Sequence, residues 1–217
     1  MLHRPGANAC RLGAGSLVVP PTEQSGVRMG KVLENLHVTL LIGVLLSVGL
    51  MFGLNGDNLP AAVVVTWVHV LCGTLWIGLL YYFNFVQIPT MPSIPAELKP
   101  AIGKHIAPKA LFFFRWAALA TVITGLLVAY LYGYEKEAMT LQPGFRLIGI
   151  GMWIALVMAF NVWFIIWPNQ KRALGIVEAD DASKAKSART AMLTSRINTI
   201  LSIPMLWAMS AQQPLGG

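Results

Sequence analysis

Charge is what this sequence has least of. Only 12% of its 217 residues are Asp, Glu, Lys or Arg, against about 25% in a soluble domain. Hydrophobic residues make up 56%. A surface with so few charges does not stay dispersed in water, so an ordinary soluble domain is excluded and lipid is the expected solvent. Cysteine is equally scarce: Cys10 and Cys72, far apart in the chain, make neither a disulfide framework nor a metal pair. No C-x-x-C-H occurs, which excludes covalent c-type haem. No G-x-G-x-x-G or P-loop occurs either, so no nucleotide or nucleic-acid partner is expected. Acidic residues are missing from the middle of every apolar run, which removes the carboxylates that proton pumps use.

What is present is a series of five apolar runs, Leu36–Leu54, Ala61–Val86, Ala107–Tyr132, Phe145–Trp167 and Ala191–Ala211. About 20 residues of helix cross the roughly 30 Å of bilayer hydrocarbon. Inside lipid the backbone must satisfy its own hydrogen bonds, so the runs predict helices rather than strands. The expected fold is therefore all-α, a polytopic bundle of about five transmembrane helices over residues 31–211. The fifth run carries Arg196, Asn198 and Pro204, and a re-entrant or interfacial helix is its alternative. Residues 1–30, with three Pro and five Gly, read as a mobile tail in which Met29 is a second candidate start; residues 212–217 read as a short tail.

The loops orient the bundle. Fourteen of the 16 basic residues fall before the first run, between the second and third, and between the fourth and fifth, or at the adjoining helix ends; Lys136 and Arg146 alone lie on the other side. The positive-inside rule makes the basic side cytoplasmic and so predicts a cytoplasmic N-terminus in a bacterial inner membrane.

Polar side chains inside lipid are costly, so their positions are informative. Towards the basic side lie His37, Asn84, His105, Arg115, Asn161, Arg196 and Asn198. One reading is a substrate pocket open to the cytoplasm for an anion, since two arginines without an intramembrane acid suit an anionic ligand or haem propionates. The other is structural: amides tying helices together and arginines reaching lipid phosphates. Towards the opposite side, His69, Gly73 and Trp76 share one helical face, and Met152 and Met205 fall at comparable depth. Gly73 leaves room for a flat ligand. His69 is a candidate axial ligand of haem b with a methionine partner, or a copper ligand. Its alternative is a histidine satisfied by a neighbouring carbonyl, with the methionines as packing.

Four stretches in order resemble a known family: Trp67-Val-His69 with Trp76-Ile-Gly78-Leu-Leu-Tyr81-Tyr82-Phe83-Asn84-Phe85; His105-Ile-Ala-Pro108 running on to Arg115-Trp116; Asn161-Val-Trp163-Phe-Ile-Ile-Trp167-Pro168-Asn-Gln-Lys171; and Arg196-Ile-Asn198-Thr199-Ile-Leu-Ser202-Ile-Pro204-Met205. They are similar to the N-terminal membrane domain of bacterial membrane-bound urate hydroxylases, the urate oxidase N-terminal family. The resemblance implies a membrane oxidoreductase that delivers electrons outward to a cytochrome c, here expected on a separate partner. Two other classes stand beside it: a non-catalytic subunit of a larger respiratory or photosynthetic membrane complex, and a copper-handling membrane protein.

Overall fold

A computed structural model of the protein describes residue 30 and residues 32–215, apart from the side chains of Asp57 and of 212–215. The expected mobile tail and the start at Met29 fall, residue 30 excepted, outside the described residues. No strand occurs among the described residues; the fold is all-α. The chain forms two compact units that part between Leu59 and Pro60.

The first unit holds α1, Leu36–Asn55. Its start is set by Asn35, whose side-chain oxygen accepts hydrogen bonds from the backbone of His37 and Val38 at 3.0 and 3.3 Å. That satisfies two of the donors a helix N-terminus leaves open. Twenty mostly apolar residues, rising 1.5 Å each, give about 30 Å, the thickness of the hydrocarbon layer.

The second unit contains α2 (Ala61–Ser93), α3 (Lys99–Leu131), the short α4 (Glu135–Met139), α5 (Arg146–Ala173) and α6 (Asp181–Leu215). With α1, the helices α2, α3 and α5 are long and apolar enough to cross a membrane. The fifth apolar run lies within α6, whose 35 residues have ample length but whose run, diluted by Arg196, Asn198 and several hydroxyl residues, does not join those four. Each of α2, α3, α5 and α6 continues beyond its apolar run at the basic end of the bundle, and α6 also runs past Ala211 to Leu215. Three of them contain a π-helical stretch towards that end: Tyr82–Gln87, Ile102–Ile106 and Asn161–Ile166. Every one of these ends two residues before a proline, at Pro89, Pro108 and Pro168. A proline removes one rung of the ordinary helical ladder, and a wider turn absorbs the disturbance without ending the helix. At α6 the start is fixed by Asp180, which accepts hydrogen bonds from the Ser183 backbone and hydroxyl at 2.9 and 2.7 Å. These bonds hold the Asp180 carboxyl below its ordinary pKa. The cap is therefore complete at neutral pH and is lost as pH falls through that lowered value.

The four long helices of this unit close a ring: α2 on α3, α3 on α5, α5 on α6, and α6 back on α2. The core is mainly at mid-height and towards the basic end, where Trp76, Leu80 and Phe83 of α2 meet Leu111, Phe114 and Ala118 of α3 and Met158, Val162 and Ile166 of α5. A smaller cluster of Ala129, Ala138, Ile148 and Met152 closes the other end. Small residues set the closest approaches, as expected where lipid supplies no hydrophobic drive and packing must. A Cβ on Gly151 would stand 3.1 Å from the Ala208 Cβ, and one on Gly149 would strike the carbonyl oxygen of Ala138. Gly149 thus carries α4 against α5. Gly149→Ala is expected to lower stability by about 1–3 kcal/mol, the usual cost of overpacking. Thermal unfolding in detergent measures it, with Gly78→Ala, which meets nothing within 4 Å, as the silent control.

Candidate functional site

Between α2, α3, α5 and α6, away from the basic end, lies a cavity of about 820 Å³. Its volume is in the range of small-molecule and cofactor sites. His69, Gly73, Trp76, Met152 and Met205, the residues expected from the sequence to hold a cofactor, all line it. Met209, Tyr81, Tyr132 and Tyr134 join them, and no Lys, Arg, Asp or Glu does.

His69 is the one ionisable group of strong ligand character there, and α3 fixes its ring. Nδ1 lies 3.0 Å from the Thr121 carbonyl oxygen and 3.2 Å from the Thr124 hydroxyl. A carbonyl oxygen only accepts, so Nδ1 carries the proton and donates it. The Thr124 hydroxyl donates its own proton to the Ala120 carbonyl at 2.7 Å, which leaves its oxygen free to accept as well. Nε2 is then the unprotonated nitrogen, and no partner for it occurs among the described residues. An imidazole clamped through Nδ1 with Nε2 left open is the arrangement that prepares a histidine for a metal or an acidic proton. The clamp needs Gly125, where a Cβ would come within 2.8 Å of the ring. Gly73 sits on the same seam, 3.7 Å from Thr121 as measured to an added Cβ. Trp76 is fully buried in the core beside the cavity, and its Nε1 finds no acceptor among the described residues.

At the end far from the basic residues, three rings stack: Tyr132 on Tyr134 at 6.4 Å between centroids, and Tyr134 on Phe145 at 5.7 Å. All three line the cavity. Burial and the adjacent Tyr132 hold the Tyr134 phenol above its usual pKa, so it remains a neutral donor throughout the ordinary pH range.

The seven residues expected as a substrate pocket are placed differently. Asn161 donates to the Asn198 side-chain oxygen at 2.8 Å, and Asn198, fully buried, donates to the Met158 carbonyl at 3.0 Å. Asn84 donates to the Leu80 carbonyl at 2.9 Å and to the Ser195 hydroxyl at 2.8 Å. These amides join α5 and α2 to α6. Arg115 is half-buried and lies on the Trp167 ring, 3.9 Å from its centroid. His105 and Arg196 are exposed; His37, in the first unit, is exposed as the second residue of α1. None of the seven lines the large cavity or the smaller one of about 150 Å³ near Gln87 and Gln170.

Sequence reasoning missed Thr121, Thr124 and Gly125, which do most to position His69. Their signal was present: two threonines and a glycine at helical spacing on an otherwise apolar span mark a face built for close, polar contact. It also missed Tyr81, whose hydroxyl donates to Ser202 at 3.0 Å, since Ser202 spends its own proton on the Thr199 carbonyl.

Asn198 carries the α5–α6 seam. Asn198→Ala is expected to cost on the order of 1–2 kcal/mol, because it removes the acceptor of the Asn161 side-chain amide and the bond that ties α6 to the Met158 carbonyl. Thermal unfolding of the purified variant checks this, and no change in midpoint would assign the seam to packing alone.

Comparison with known proteins adds one finding. No curated protein and no solved structure matches the chain. Residues 142–214, about a third of the sequence, match the family described as urate oxidase N-terminal. They comprise the turn before α5, all of α5, and α6 almost to its end. This matched segment, which contains two of the four motifs quoted above, is similar to the urate oxidase N-terminal family.

Proposed function

We propose that this protein is a membrane redox protein of the urate hydroxylase kind, with haem b held in the His69 cavity and electrons leaving to a separate cytochrome. One observation carries the reading: His69 is locked through Nδ1 onto Thr121, which leaves Nε2 free beside a cavity of cofactor size. Haem in such a site supplies a one-electron couple. The residues fit it in three respects. Nε2 of His69 would supply a nitrogen ligand to the iron. Met152 and Met205 are the thioethers from which a second ligand would come. Gly73 and Trp76 both line the cavity, Trp76 as an aromatic part of its wall. The acid groups of the porphyrin would turn to the Tyr132 and Tyr134 hydroxyls and the water beyond them, since the lining holds no cation.

In this proposal the protein sits in a bacterial inner membrane with its N-terminus in the cytoplasm. Support comes from the fourteen-to-two division of basic residues. The His69 cavity then opens towards the periplasmic side, where a soluble cytochrome would dock.

A second reading, a non-catalytic subunit of a larger membrane complex, also has a specific observation behind it. The side-chain amides of Asn84, Asn161 and Asn198 each donate to a partner within the bundle. A copper site drawing on His69 and Met152, Met205 and Met209 is the third.

One spectrum separates the three. Protein purified in mild detergent is expected to show a Soret band and a reduced-minus-oxidised difference, both lost in His69→Ala and strongly diminished in Gly125→Ala, whose new methyl displaces the ring. A colourless, metal-free protein sinks the haem proposal in favour of the accessory subunit, and bound copper in favour of the third. Orientation is tested separately. Reporter fusions after Gly56, Glu137 and Gly217 are expected to read periplasmic, and those after Lys99 and Ala182 cytoplasmic; a cytoplasmic reading at Gly217 removes the fifth span.

A further inference from the structure

Arg115 is the most costly residue in the bundle to explain by packing. It stands in α3 among Phe112, Phe113, Phe114 and Trp116, and α5 holds it at two points. Trp163 donates its indole N–H to the Arg115 carbonyl at 3.1 Å. One turn on, the Trp167 ring lies 3.9 Å from the guanidinium carbon. The Phe112 ring lies 5.4 Å away on the chain's own helix. No carbonyl, hydroxyl or carboxylate accepts from the guanidinium among the described residues, where Lys184 with Asp181 is the one ion pair.

Stacking on an indole uses the flat face of a guanidinium and leaves the N–H groups at its edge directed in the plane. Those donors match two oxygens of a phosphate. A second cation shares the same ring: Lys171, one turn beyond Trp167, has its ammonium 5.7 Å from the ring centroid. The neighbouring surface is apolar, with Phe112, Phe113, Trp116 and Phe164 all exposed. A soluble anion gains nothing from such surroundings, whereas an acyl chain covers them.

We propose that Arg115 and Lys171, arranged around Trp167, form a binding site for the headgroup phosphate of an anionic phospholipid at the basic end of the bundle, with the acyl chains lying over the exposed rings of α3 and α5. The site is separate from the His69 cavity and stands whether or not that cavity holds haem.

The test uses the full-length protein in a neutral detergent. Thermal unfolding is followed on addition of phosphatidylglycerol, phosphatidylcholine or inorganic phosphate, and native mass spectrometry counts retained lipid. Phosphatidylglycerol is expected to raise the midpoint and remain bound, and phosphatidylcholine to do so much less. Arg115→Gln and Lys171→Gln are each expected to weaken phosphatidylglycerol binding about fivefold, the worth of one basic group at a membrane surface. Lys171→Gln lies near the helix end and serves if Arg115→Gln does not fold. Equal response to the two lipids, or full phosphatidylglycerol binding in Lys171→Gln, overturns the proposal. An equal response to inorganic phosphate overturns the lipid assignment and makes the pair a soluble-anion site.

Discussion

The buried amide of Asn198 is the interaction on which the second unit most depends. It lies at zero exposure, accepts from Asn161 and donates to the Met158 carbonyl. An amide in a lipid-embedded bundle has no water to fall back on, so its partners must come from neighbouring helices. That requirement fixes the register of α6 against α5. Once α6 is fixed, Ser195 reaches Asn84 and Ser202 reaches Tyr81, so α2 is drawn against the same helix. Met205, one turn beyond Ser202, is then carried to the wall of the cavity.

The two ends of this unit do different work. Towards the basic end, large side chains fill the ring and the amides of Asn84, Asn161 and Asn198 bond across to neighbouring helices. Towards the other end the helices stay apart, and the space between them holds a single imidazole whose tautomer is set by a backbone carbonyl. A histidine bonded to a carbonyl and a histidine prepared for a ligand are often treated as rival descriptions. At His69 the two do not conflict, because the carbonyl occupies one ring nitrogen and leaves the other without a partner among the described residues.

The π-helical stretches contribute to that division. In α5 the wide turns begin at Asn161 and end just before Trp167. They bracket the residues that meet α6 on one side and Arg115 on the other. In α2 the corresponding stretch includes Asn84. Wide turns recur where helices must present polar side chains and still continue to the basic end, and the prolines that follow them give the local cause.

How much of this was legible beforehand follows from the kind of interaction involved. Composition and run length determined the helical class, because a lipid-facing backbone has no other way to satisfy itself. A family resemblance was legible too, through motifs whose C-terminal pair falls in the segment that matches the family model. That His69, Gly73, Trp76, Met152 and Met205 share a cavity followed from depth along the helices, a one-dimensional property that a rise per residue supplies. Depth does not say which way a side chain turns about its helix. Asn84, Asn161, Asn198 and Arg115 sit at similar depths, yet the amides turn into the α6 seam and the arginine turns onto Trp167. The sequence by itself determined the helices, their apolar extents and the depth of each polar group. Only the tertiary structure decided the partners, because rotation about the helix axis is set by the packing of neighbouring helices and is recorded in no single stretch of chain.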